Sequence, residues 1–433
     1  MSATPVPGSP APPRWPHQLL DVGALRAGGW RPVPLRDFVL KVHQRCNLAC
    51  DYCYVYELAD QSWRGRPAVM PAAVRRATVA RIADHVRRHR LPRISVSLHG
   101  GEPLLAGPRD LLTLVDDLRA RLPGHCTARI GLQTNGVLLD ESAVRALAGH
   151  GIRIGVSIDG TAADHDRHRR HRNGTGSHTA AARALALLRE PRHRAAYAGL
   201  LCTIDPATDP VGTYEALLRH EPPAIDFLLP HANWAHPPAH PPGAGPAPYG
   251  DWLVAVFDRW YDDGRREPSV RLFDQLIGLL LGAGSRSDQI GLSPVTVAVV
   301  ESDGAIEQVD SLKSAYEGAA STGLSVLGDT FDAALEHPGV VARQIGAAAL
   351  GDACRRCPLH PVCGAGHYAH RYRAVEGFHN PSVYCADLTR LITHVRTRLA
   401  ADLARLRKPS DVDGTADVDG TGTDGRVSAS GRR

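Results

Sequence analysis

Between Phe38 and His231, short β-rich runs alternate with longer helical ones, and this alternation constrains the fold more than any other feature of the chain. The pattern predicts strands near Phe38–His43, Ile94–Leu98, Arg129–Gln133, Ile152–Ile158, Ala198–Ile204 and Ile225–Leu229. Helices are expected between them near Ala72–Arg90, Pro108–Arg121, Glu141–His150, Thr179–Arg189 and Thr213–His220. Parallel neighbours need a crossover, so six strands joined by helices imply an α/β fold whose parallel sheet curls into a partial (β/α)6, TIM-like barrel. Such barrels carry their chemistry at the C-terminal strand ends. The chain's unusual residues gather there.

Cys46, Cys50 and Cys53 follow the first predicted strand, in Lys41-Val-His-Gln-Arg-Cys-Asn-Leu-Ala-Cys-Asp-Tyr-Cys-Tyr-Val-Tyr-Glu57. Three thiolates at this spacing can hold three irons of a [4Fe-4S] cube and leave the fourth iron open to a small molecule. A structural zinc site wants a fourth donor, and no further Cys or paired His follows closely; His43, on the strand side, reads as a packed or hydrogen-bonding residue. A second set is Cys354-Arg-Arg-Cys357-Pro-Leu-His-Pro-Val-Cys363-Gly-Ala-Gly-His367, with Cys385 following. Four thiolates can close around zinc or an iron-sulfur cluster, and spacing alone does not choose. The remaining cysteines, Cys126 and Cys202, read as small buried hydrophobes, so the nine cysteines do not spread as a disulfide framework.

With 433 residues, 43% of them hydrophobic, the chain can bury a large core in more than one domain. No apolar run reaches membrane-spanning length and the start lacks a secretory pattern, so a soluble, cytoplasmic protein without membrane contact is expected. The net charge of +5 comes mostly from Arg scattered among acids, which argues against a nucleic-acid partner; Lys occurs only at 41, 313 and 408. The one dense basic run, Arg167 to Arg172, reads as a solvated loop or as a contact for a carboxylate-bearing ligand. Pro230–Tyr249 is rich in Pro and Gly and reads as a linker or a loop bordering the site. Helical patterns near Tyr249–Asp262 and Val270–Leu281 precede a β segment, Thr296–Val300, and a turn at Ser302-Asp303-Gly304. The expected organisation is an N-terminal extension (1–35), a barrel (36–231), a linker with bridging helices (232–292), a cysteine-bearing domain (293–407) and a disordered tail (408–433) whose Asp repeats lack the Glu and flanking helices of a calcium loop.

Further motifs sit at the strand ends: His99-Gly100-Gly101-Glu102-Pro103, Gln133-Thr134-Asn135-Gly136, Ser157-Ile158-Asp159-Gly160 and His165-Asp-Arg-His-Arg169. Together with the three-cysteine run they resemble the radical S-adenosylmethionine (SAM) superfamily. The wording of residues 42–57, 366–373 and 380–387 resembles the FxsB family of radical SAM/SPASM peptide maturases, and the resemblance spans roughly residues 36 to 400. It implies that Cys46, Cys50 and Cys53 hold the SAM-binding [4Fe-4S] cluster and that Tyr52 packs on the adenine. Gly100, Gly101 and Glu102 would meet the methionine end of SAM, the two glycines by letting backbone approach it. Thr134, Asn135 and Ser157 would contact polar groups of SAM, Arg169 its carboxylate, and Asp159 either SAM or peptide. Cys354, Cys357, Cys363 and Cys385 would hold one auxiliary [4Fe-4S] cluster in a SPASM- or twitch-like C-terminal domain. A full SPASM domain has seven cysteines; here His367 and Val309 stand at two of those places.

The same resemblance implies an oxidoreductase that uses a 5′-deoxyadenosyl radical to take a β-hydrogen from a ribosomal precursor peptide (a RiPP). The carbon would then join an aromatic ring two residues away, as a three-residue cyclophane. Asp310 is the candidate proton acceptor, because an Asp follows the corresponding Cys in sulfatase-maturing relatives. Another radical SAM peptide modification, such as thioether formation or oxidation of a sulfatase Ser or Cys, is the alternative, and a non-catalytic metal-binding peptide carrier is the alternative of another class. An electron donor such as flavodoxin or ferredoxin is the implied redox partner. About 36 residues precede the first strand, too few for a fused leader-binding domain, so leader recognition is expected from this core or a separate protein.

Overall fold

The computed structural model describes residues 15–264, 268–285 and 287–407. Ten strands form one sheet in the order β10-β9-β8-β1-β2-β3-β4-β5-β6-β7. They are β1 (Asp37–His43), β2 (Arg93–Gly100), β3 (Thr127–Thr134), β4 (Arg153–Ser157), β5 (Tyr197–Thr203), β6 (Ala224–Leu228), β7 (Ser269–Val270), β8 (Val297–Val300), β9 (Ala305–Glu307) and β10 (Ser321–Ser325). From β8 through β7 every pairing is parallel, while β8, β9 and β10 form an antiparallel meander. The six strands expected from the sequence are β1 to β6, each within about two residues of its expected bounds.

Alternation explains the sheet's layers. In β2 the side chains of Ile94, Val96 and Leu98 are buried against helices, while Ser95, Ser97 and His99 face the barrel interior side by side. Helices Ala72–His89, Pro108–Arg121, Glu141–Gly149, His178–Arg189 and Pro210–Leu218 supply the crossovers. Their starts carry local signals: Asp140 and Asp209 cap from their side chains, and prolines open the helices at 108 and 210.

Two further features emerge only from the fold. β8 pairs in parallel with β1 and extends the barrel's own sheet, while β7 extends the other edge. The Arg167–Arg172 run is not simply a solvated loop: Ala162–His168 is a helix capped by Thr161, and its cations are met by local acids. Arg167 pairs with Asp164 and Asp205, and His168 with Asp51 and Asp205.

Residues beyond β6 wrap back over the barrel. The Pro-rich loop is tied down where Asn233 Nδ2 donates to Ser314 O at 2.8 Å and Trp234 Nε1 donates to Pro381 O at 2.8 Å. The final helix, Cys385–Arg407, packs along Pro248–Asp262, with Asp387 accepting from Gly250 N at 2.9 Å. Among the described residues no helix is long and apolar enough to cross a membrane. The repetitive tail lies outside the described residues, as does the first part of the N-terminal extension.

Candidate active site at the C-terminal rim of the barrel

A cavity of about 220 Å³ opens where the strands end, lined by residues of β2, β3, β4 and β5, by Leu228 and by the three-cysteine loop. Cys46, Cys50 and Cys53 all face it. The loop that carries them is stitched to its neighbours: Gly101 N donates to His43 O at 2.9 Å, Glu102 N to Arg45 O at 3.0 Å, and Ala49 N to Arg170 O at 2.7 Å. Leu48 N points at Cys46 Sγ from 3.4 Å, and Asn135 Nδ2 approaches the same sulfur at 3.7 Å while donating to Asn47 Oδ1 at 2.8 Å.

Burial pushes the Cys46 thiol up to about 11 and Cys50 up to about 12, with the charge of neighbouring cysteines adding to both. Three cysteines facing one cavity, with the Leu48 N–H and the Asn135 amide aimed at Cys46, fit a [4Fe-4S] cluster with one open iron.

The two glycines do more than admit a ligand. A side chain at Gly100 would sit 2.1 Å from His43 O, and one at Gly101 would meet Arg45 backbone at 2.6 Å. Both glycines line the cavity, but their small size first lets β2 press against the start of the cysteine loop.

Glu102 and Asp159, expected among the cofactor contacts, lie behind the cavity wall because their oxygens are taken by the protein. Glu102 is fully buried; Oε1 accepts from Leu104 N at 3.0 Å and Thr134 Oγ1 at 2.8 Å, and Oε2 accepts from Asn135 N at 2.9 Å. It thereby fixes the end of β3, and burial raises its carboxyl to about 7 despite these donors. Asp159 Oδ1 accepts from Thr203 N at 2.9 Å, and Oδ2 accepts from Arg169 Nε at 2.8 Å and from the Tyr52 hydroxyl. The Arg169 guanidinium lies 5.5 Å from the centre of the Tyr52 ring. Asp159 is thus a brace that sets both Tyr52 and Arg169 at the cavity, where Thr134, Asn135 and Ser157 also lie.

Asp310 is also withdrawn from the lining. Its Oδ2 accepts from Lys41 Nζ at 2.7 Å, and Lys313 Nζ lies 3.5 Å from Oδ1. Burial alone would raise this carboxyl, but Lys41 and Lys313 outweigh it and hold the group well below the usual carboxylate range. Lys41 Nζ also donates to Gly100 O at 3.1 Å, which links Asp310 to the cavity wall beside His99. Glu301, Glu307 and Arg66 complete this buried charge network. Sequence reasoning missed Lys41, Lys313, His99, Tyr54, Tyr56, Gln133 and His231. A signal for two of them existed: in a chain with three lysines, two are buried in one network.

The C-terminal cysteines form a separate set outside this cavity. Cys354 lies in the short helix Asp352–Arg355, Cys363 closes His360–Cys363, and Cys385 begins the final helix. Burial raises Cys354, Cys363 (to about 11) and Cys385, and the charge of other cysteines of the set raises them further. Arg371 stands beside it, its Nη2 donating to Gly364 O at 2.6 Å and Gly366 O at 2.7 Å. Four donors fit a closed auxiliary cluster without His367, whose Nε2 lies 3.3 Å from Asp288 instead. Cys126 and Cys202 are buried in the barrel core, as expected, and Val309 packs in the smaller apolar core around Trp15.

A profile described as the Radical SAM superfamily matches residues 40–196. A cysteine-type anaerobic sulfatase-maturating enzyme from Clostridium perfringens is 27% identical over 285 residues, covering 64% of this chain and 74% of that protein. A solved structure described as native anSMEcpe with bound AdoMet and Cp18Cys peptide superposes with a TM-score of 0.73 at 21% identity, covering 86% of this chain and 99% of that one. Streptococcus suis SuiB bound to precursor peptide SuiA shares the fold at a TM-score of 0.55 and 13% identity, covering 84% and 78%. With the three-cysteine loop at the rim of a parallel barrel, residues 40–196 match the Radical SAM superfamily, and the solved structures share the fold of the chain.

Proposed function

We propose that this enzyme matures a ribosomally synthesised precursor peptide by forming a carbon-carbon bond between an aromatic ring and a β-carbon, the three-residue cyclophane. The observation that carries the peptide reading is a pair of adjoining cavities. The cysteine-lined cavity shares Tyr52, Thr203, Pro230 and His231 with a second one of about 250 Å³ bordered by the Pro-rich loop at His236–Ala239. One chamber suits SAM and the other a chain segment. The peptides bound in the anSMEcpe and SuiB structures support the same substrate class. The FxsB-like wording of residues 42–57, 366–373 and 380–387 supports the crosslink.

Cys46, Cys50 and Cys53 would hold the reducing cluster, and Cys354, Cys357, Cys363 and Cys385 the auxiliary one. Bound there, cluster and SAM supply a 5′-deoxyadenosyl radical able to take a hydrogen from an unactivated carbon. Tyr52 offers a ring face and Arg169 a cation for SAM, and Asp159 holds both in place. Thr134, Asn135 and Ser157 offer polar contacts around the cavity.

Closing the crosslink removes two hydrogens in all: one as an atom taken by the radical, the second as a proton and an electron once the ring has been attacked, the electron going to the auxiliary cluster that Cys354, Cys357, Cys363 and Cys385 would hold. Asp310 is the proposed acceptor: it is ionised, and Oδ1 has no hydrogen-bond donor. The neighbouring lysines make it a weak base, so a proton taken there passes on readily.

The Clostridium relative favours a second reading, oxidation of a Ser or Cys in a sulfatase. The two readings separate by product. Reconstituted anaerobically, the enzyme is given SAM, a reductant such as reduced flavodoxin or ferredoxin, and peptides encoded beside its gene. A peptide lighter by two hydrogens that fails to react with a hydrazide supports the crosslink. A hydrazide-reactive aldehyde at Ser or Cys would establish the sulfatase reading.

A further inference from the structure

His231, His367 and His370 converge in a cluster that belongs to neither cysteine set. One ring nitrogen from each lies within 4.8 Å of the others. His231 follows β6 at the cavity rim, and the other two flank the start of the 3-10 turn Tyr368–Arg371. The ring centres are 5.0 to 5.8 Å apart. His231 Nδ1, His367 Nδ1 and both nitrogens of His370 are buried without a hydrogen-bond partner, and His370 is only 3% exposed. An unpaired buried polar group costs on the order of 1–3 kcal/mol, so four in one place point to a shared partner.

Asp288 decides which lone pair is presented. Its Oδ2 lies 3.3 Å from His367 Nε2, so Nε2 carries the hydrogen and Nδ1 is left as an acceptor facing the cluster. Carboxylates orient metal-bound imidazoles in this way. We propose that His231, His367 and His370 bind one divalent transition-metal ion of the zinc class, with a fourth coordination position open toward the cavities that His231 lines. Three neutral imidazoles suit zinc, and three protein donors are what a zinc site with an exchangeable position uses. Because His231 lines both chambers, a carboxylate or imidazole of the substrate peptide is the class of ligand that would reach the open position.

Two other clusters of this type do not compete. Glu301, Glu307 and Asp310 already surround the Lys313 ammonium. At His85, His89 and Asp332, one carboxylate pairs with both imidazoles.

The test uses protein whose cysteine sites are already filled with iron and sulfide, passed over a chelating resin and titrated anaerobically with Co2+, then with Zn2+. The expected result is about one equivalent of cobalt with ligand-field bands, displaced by zinc, and zinc-edge absorption showing imidazole scattering without sulfur. His370→Ala should weaken cobalt binding more than about tenfold while iron and sulfide content stay at the parent level. Should His370→Ala lose iron through misfolding, His231→Gln, at the cavity rim, takes its place as the reporter. Cobalt uptake that is absent from the parent, undiminished in the folded variant, or marked by sulfur scattering overturns the proposal.

Discussion

The two cysteine sets are built from similar thiols and differ in what surrounds them. Cys46, Cys50 and Cys53 sit on a loop sewn to β1, β2 and β3, and every one of them faces a cavity. Cys354, Cys357 and Cys363 sit on short helices and turns outside that cavity, and Cys385, at the start of the final helix, is exposed. Three donors beside an empty volume leave a metal corner for a ligand; four donors among packed turns close it. On the proposed function, this difference gives SAM chemistry to the first set and an auxiliary part to the second.

The most severe way to break this comparison is to remove the first set. Replacing Cys46, Cys50 and Cys53 together by Ala should abolish 5′-deoxyadenosine formation and leave about four irons per chain, against about eight in the parent. Retained SAM cleavage, measured by chromatography, would overturn the assignment. Removing Cys354 and Cys357 should instead cost about four irons while SAM cleavage continues, with crosslinked peptide falling steeply. If iron stays near eight there, or if careful reconstitution yields four irons and one zinc, the second set is not an auxiliary cluster.

Much of this arrangement could be read before any coordinates. The strands announced themselves because their buried faces alternate with Ser, His and Gly residues that end at the rim, and both cysteine sets are compact in sequence. What escaped was whatever depends on distant segments meeting. Lys41 and Asp310 are 269 residues apart, and β8 joins β1 although it lies beyond the helices that follow the barrel. Glu102 and Asp159 were legible as strand-end acids, but only packing reveals that backbone donors and Arg169 saturate them. The basic run at 167–172 misled for the same reason, since Asp51 and Asp205 reach it from other loops.

Smaller effects sharpen the picture of the first site. Asp310→Asn should keep SAM cleavage and slow crosslinking, by roughly 10²–10⁴-fold if the carboxylate is the proton acceptor. Deuterium from the substrate β-carbon should still appear in 5′-deoxyadenosine, and a near-parent crosslinking rate would make Asp310 structural. Asp159→Asn leaves the Arg169 cation without its carboxylate; a loss of about 1.5–3 kcal/mol predicts SAM affinity weaker by about 10- to 100-fold, read by equilibrium binding. Glu102 gives the mildest effect. Its folded-state carboxyl is raised from 4.5 to about 7, so its contribution to stability is fully present below about 4.5 and is lost as pH rises through about 7. Thermal unfolding followed from pH 4.5 to 8 should show this fall in the parent and a flatter profile in Glu102→Gln; parallel profiles would contradict it.

The central claim is that SAM meets the three-cysteine set alone, and paramagnetic resonance of the reduced protein tests it most directly. With Cys354 and Cys357 replaced by Ala, added SAM should still shift the cluster signal, and methionine labelled with 15N at the amino group should show coupling to it. With Cys46, Cys50 and Cys53 replaced, the remaining signal should be indifferent to SAM. A SAM-dependent shift in that second protein, or none in the first, would contradict the account.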